Sequence, residues 1–80
     1  MEAICLLGAS NTKLATDIEF LGQRKSFLED KLAGDIESSG FFNYLVEYSC
    51  VCLELVLKER ERQENKHLMS SILSAAVNQQ

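Results

Sequence analysis

Apolar side chains crowd one stretch of the chain. From Phe41 to Leu57 (FFNYLVEYSCVCLELVL) only Asn43, Glu47, Ser49 and Glu54 are plainly polar. Wound as a helix, Phe41, Leu45, Tyr48, Cys52 and Leu55 form a seam spaced four, three, four, three. Phe42, Val46, Leu53 and Val56 fill the flank beside it, and Tyr44 and Val51 fill the other. Glu47, Glu54 and Glu61 share one polar line. The apolar arc is far wider than the ~100° stripe of a one-sided surface helix, so covering it takes more than one neighbour.

An earlier stretch supplies one of those neighbours. Ile4, Leu7, Leu14, Ile18, Leu21, Leu28 and Leu32 keep a 3-4 spacing, with Asn11 and Lys25 as polar interruptions. A heptad kept from residue 4 to 32 predicts a helix with supercoil-compatible spacing. Lys13–Asp17 and Lys25–Glu29 add i,i+4 support. Ser10 or Asn11 could cap a helix starting at Thr12, but the unbroken register favours one helix from Glu2, tolerating Gly8 at ~1 kcal/mol. Leu32-Ala33-Gly34 reads as a helix end with glycine just past it. DIESSG then makes a short polar connection, with Ser38 or Ser39 as the next N-cap. Connections of this length join antiparallel neighbours.

Residues 58–67, KERERQENKH, are all polar, yet the apolar seam reappears in phase beyond them. Continuing the register gives Glu59, Arg62 and Lys66, then Met69, Leu73 and Ala76. That predicts one helix to about Val77, with a break near Asn65 as the alternative. Placing Leu32 opposite Phe41 sets Asn11 against Arg62 and Ile4 against Met69. The polar interruptions of both helices then fall in one zone, an arrangement that fixes register at some cost in stability. The fold class is therefore all-α: a single helical-hairpin domain over 1–80, with helix 1 at about 2–33, a loop at 34–39 and helix 2 at about 40–77. Phe20 and Phe27, off the helix 1 seam, and Phe42, Val46, Leu53 and Val56, off the helix 2 seam, are the predicted partner-binding residues.

Composition agrees with helices. There is no proline, and 46% of the chain is apolar, which argues against disorder. Eighty residues form a small domain of a size that usually needs a staple, very good packing or a partner. A net charge of −4 argues against nucleic acid, whose phosphates demand a concentrated basic surface. Three cysteines without framework spacing point to a reducing cytosol rather than to a disulfide-bonded secreted domain. MEAICLLGAS lacks the basic start of a signal peptide, and two glutamates inside Phe41–Leu57 make a membrane span expensive.

Candidate chemistry is sparse. Cys50 and Cys52 are two apart on a helix, so their thiols point to opposite sides and cannot jointly hold a metal. Both read as small buried hydrophobes. Cys5 and His67 could meet across the hairpin, but two ligands do not make a zinc site. One histidine assembles no catalytic triad, the aligned glutamates lie ~10 Å apart along a polar line, and the glycines form no phosphate cradle. No catalytic residue, cofactor or metal is predicted, and no enzyme activity.

These features imply a non-catalytic protein–protein interaction module. In shape, two long antiparallel helices with a surplus apolar face resemble the small helical-hairpin chaperones of type III secretion needles. They also resemble the hairpin dimers that regulate plasmid RNA. The first resemblance implies a chaperone or adaptor covering an apolar helix of a partner. The alternative is a self-sufficient homodimeric four-helix bundle with a structural or regulatory role. An RNA-binding role is disfavoured by the acidity.

Overall fold

The computed structural model describes residues 2–34, 36–37 and 39–78. Two helices, α1 (Glu2–Leu32) and α2 (Phe41–Asn78), lie side by side as an antiparallel hairpin, and no strand occurs among the described residues. The molecule is a rod of 65 × 14 × 13 Å.

Helix α1 follows the predicted register throughout. Leu14, Leu21 and Leu28 are buried, and Ile4, Leu7, Asn11, Ile18, Lys25 and Leu32 are half-buried. It runs from Glu2 straight through Gly8, and the Thr12 hydroxyl donates back to the Gly8 carbonyl at 3.0 Å. Thr12 is thus an interior residue, bonded in the way hydroxyls commonly are one turn back. Neither Ser10 nor Asn11 begins the helix.

The end of α1 differs from the expectation. Ala33 N–H donates to the Glu29 carbonyl at 3.0 Å, and Gly34 N–H to the Lys31 carbonyl at 3.3 Å. The last turn therefore tightens to an i→i+3 bond, one of the usual ways of satisfying terminal carbonyls. Gly34 does not take the left-handed conformation; Gly40 does, with φ at +92°. Gly40 also stands where a serine was expected, since its carbonyl accepts the first helical bond of α2, from Tyr44 N–H at 3.0 Å. The glycine is there because an L side chain would be strained at that φ. The expected cap Ser38 lies outside the described residues.

Helix α2 is unbroken through 58–67, so the alternative of a break near Asn65 does not hold. Its seam keeps six of the predicted positions and shifts the other five by one residue. Phe41, Tyr48, Leu55, Arg62, Met69 and Ala76 face α1 as expected. Between them stand Tyr44, Val51, Lys58, Asn65 and Ile72, in place of Leu45, Cys52, Glu59, Lys66 and Leu73. Leu45 is exposed, Cys52 is half-buried, and Val51 is the one buried side chain of α2. The shift turns Glu47 toward α1, where it meets Arg24 in a two-pronged ion pair; the Arg24 Nη2–Glu47 Oε1 arm measures 2.9 Å. Lys58 reaches across to Asp17 at 3.6 Å.

The core is one side chain thick and sits toward the loop. Leu21, Leu28 and Val51 pack with Tyr44, Tyr48 and Leu55 around them, and Leu14 extends the seam away from the loop. Farther along, the expected polar zone is present. Asn11 Nδ2 donates to the Arg62 carbonyl at 3.3 Å, and Asn65 Nδ2 donates to Asn11 Oδ1 at 2.9 Å. Asn65 also reaches Ser10 Oγ at 3.5 Å. Each amide thus meets a partner on the facing helix, which removes most of the penalty for burying polar groups.

Candidate interaction surface

Seven residues make two helical turns, so positions opposite the α2 seam recur along one outer face. Val46 and Leu53 lie along its middle, flanked by Phe42 and Val56 on one side and by Leu57 on the other. All five are exposed, Phe42 at 72% and Leu53 at 62%. Leu45, turned off the seam, widens the face on the Val56 side, and Cys50, also exposed, lies beside Leu57. The outer face of α2 is therefore apolar over a length from Phe42 to Leu57, apart from Asn43 at one edge and Ser49, whose hydroxyl donates to the Leu45 carbonyl at 3.0 Å. Monomeric proteins rarely leave so continuous an apolar surface in water.

The predicted partner-binding residues divide between two places. Phe42, Val46, Leu53 and Val56 share this outer face. Phe20 and Phe27 belong to α1 and lie along the edge where the helices exchange ion pairs. Phe20 is 67% exposed and borders a shallow depression with Asp17, Leu21, Glu54 and Lys58. Phe27 is engaged within the hairpin. Its ring meets Tyr44 edge-on at 6.5 Å, with the Arg24 guanidinium 4.7 Å and the Lys31 ammonium 5.4 Å from its centroid. Such contacts are favourable in their own right, so Phe27 already has neighbours that Phe42 lacks. The row Arg24–Glu47 and Asp17–Lys58 separates the two aromatic positions of α1 from the outer face of α2.

Electrostatics at the rim follow from these pairs. The Arg24 guanidinium holds the Glu47 carboxyl below its ordinary range, and Glu47 in turn raises Arg24. On the opposite rim the Tyr48 hydroxyl donates to Glu29 Oε2 at 3.1 Å. That bond to a carboxylate, together with desolvation and the nearby Cys52, pushes the Tyr48 phenol up to about 12. A phenol held protonated beside a carboxylate is a structural clasp between helices.

The thiols stand differently from the expectation for them. Cys52 is half-buried beside Tyr48, but Cys50 is exposed, because the rotation of α2 turns it away from α1. Cys5 is exposed as well, and all three are unpaired. Among the described residues, no three His, Cys, Asp or Glu side chains converge as metal ligands. His67 borders a shallow, mostly apolar depression with Gln63, Glu64 and Leu68.

The residues missed by sequence reasoning are Leu57, Leu45 and Cys50. The signal for Leu57 was present: it follows Leu53 by four and extends the same face. Leu45 and Cys50 depended on how α2 is rotated, which its evenly apolar circumference does not reveal. No helix among the described residues is long and apolar enough to cross a membrane. No family model matches the chain, and no match was found among curated proteins or solved structures.

Proposed function

We propose that the protein is a non-catalytic interaction module, a small helical-hairpin chaperone or adaptor that lays the outer face of α2 along an apolar helix of a partner protein. The observation that carries this reading is the exposed row Phe42, Val46, Leu53 and Leu57, presented by a helix already braced on its other side. Helix-in-groove and helix-on-helix recognition use anchors three, four or seven residues apart, and this row is spaced four, seven, four. The net charge of −4 favours a partner helix with basic flanks. Three unpaired cysteines suit a reducing compartment such as the cytosol.

The test uses a synthetic twenty-residue amphipathic helix of leucine and lysine, labelled and titrated with the protein by fluorescence anisotropy. Binding is expected with the native chain. It should be lost in Val46→Asp and Leu53→Asp, with helicity by circular dichroism unchanged, because a charge is costly only once an interface closes over it. Binding that survives both substitutions would sink the reading.

A further inference from the structure

We infer that in the free protein the outer face of α2 is closed by a second copy of the chain, packed antiparallel about a two-fold axis that passes between Ser49 and Cys50. The inference rests on reading that face as a helix-docking surface, and three observations choose the occupant.

The first is area. Phe42, Leu45, Val46, Leu53, Val56 and Leu57 are between 41% and 72% exposed. At those exposures they present on the order of 600 Å² of side-chain surface, near the ~800 Å² per partner of a standard specific interface. The second is shape. The apolar row begins at Phe42, just past the loop, and stops at Leu57, where the charged run from Lys58 begins. A two-fold interface brings the same patch together from both copies. Only one antiparallel alignment lays this row fully on itself, and its midpoint falls between Ser49 and Cys50. Val46 then faces Leu53 of the second copy, and Phe42 faces its Leu57. The third is charge. In that alignment Glu47 pairs by position with Cys52 and Glu54 with Leu45, so no like charges are opposed. A parallel alignment sets each glutamate beside its own copy.

The alignment has a specific consequence. Helices packed in this way are 8–10 Å apart, and residues next to the two-fold lie ~1.5 Å from their symmetry mates along the helix direction. The exposed Cys50 thiol therefore sits beside the Cys50 thiol of the second copy, within the short reach a disulfide requires. Cys5 and Cys52 have no such mate.

The experiment is oxidation of the purified chain with diamide, which takes up the two electrons and two protons released when two thiols join. It is run beside sedimentation velocity across a dilution series. The Cys5→Ser/Cys52→Ser variant, with Cys50 as its one thiol, is expected to form a disulfide-linked dimer. So is a variant with all three cysteines replaced by serine and Ser49→Cys added, since position 49 flanks the same axis. Leu53→Asp should weaken self-association by roughly tenfold or more and suppress the cross-link, with helicity retained. A dimer in sedimentation that cross-links through neither position overturns the inferred axis, and a helical monomer at all concentrations overturns the second copy altogether. In either event the leucine–lysine helix binds if the docking reading is right. A Cys50-linked dimer that never takes up that helix upholds the self-closed face and removes the adaptor function instead.

Discussion

At the scale of single residues, the strongest local statement concerns Tyr48. Its hydroxyl bonds to the Glu29 carboxylate, so ionising the phenol sets two negative charges together. Its pKa is accordingly raised above the value in the unfolded chain, to about 12. A group with a raised folded pKa contributes stability that is fully present below its unfolded value and is lost as pH rises through the folded one. The alkaline limb of stability should therefore fall between about pH 10 and 12. Glu29→Gln should move the Tyr48 titration back toward the ordinary range, as read by ultraviolet difference absorbance. Glu47 works in the opposite sense: its pKa is lowered, so its contribution is present above the usual carboxylate range and lost as pH falls through it. Asn11 offers a second residue-scale test. Asn11→Ala leaves the Asn65 amide without its best partner and is expected to cost about 1 kcal/mol in urea unfolding. Replacing Asn11 and Asn65 together with leucine should raise the melting temperature while loosening the alignment of the helices, seen as extra amide resonances.

At the scale of elements, the two helices were unequally legible. Helix α1 alternates apolar and polar positions sharply, so Leu14, Leu21 and Leu28 could be placed from spacing alone. In α2 Leu45 and Tyr44 are equally apolar, as are Cys52 and Val51, so periodicity gave no means of choosing between them. The choice was made by contacts that spacing does not encode: Arg24 with Glu47, and Phe27 edge-on to Tyr44. The outer face is the same in both versions of the seam because Phe42, Val46 and Leu53 flank the predicted one and lie farther still from the observed one, so neither buries them. The loop was legible in place but not in chemistry, since which glycine turns left-handed depends on how the chain enters α2. Three substitutions follow. Leu28→Ala, at a fully buried position, should cost 2–5 kcal/mol, estimated roughly from buried leucines elsewhere, whereas Leu45→Ala should leave the hairpin itself nearly as stable as before. Gly40→Ala should cost about 1–2 kcal/mol through backbone strain alone. The added methyl meets Tyr44 Cε2 at 3.7 Å, an ordinary contact. Thermal unfolding of the three variants decides both points.

At the scale of the whole molecule, the uneven placement of the core along the rod shapes how the chain opens. Leu14, Leu21, Leu28 and Val51 all lie on the loop side of the asparagine layer, and beyond that layer no described residue is buried. Closing the short loop brings Leu28 and its neighbours together at little entropic cost, and each later contact is local once the previous one has formed. Folding on this plan is a zipper that starts at Gly40 and runs toward the open end. The same asymmetry reads backwards in the native state. Amides of residues 2–10 and 66–78 should exchange with deuterium through partial opening, while those around Leu21, Leu28 and Val51 wait for global unfolding. A protection profile that is flat from loop to termini would show that the rod opens as one unit. If the gradient is present, a partner gripping α2 between Phe42 and Leu57 clamps the part already closed. The distal arms remain free to part, like the jaws of a peg held shut at its spring.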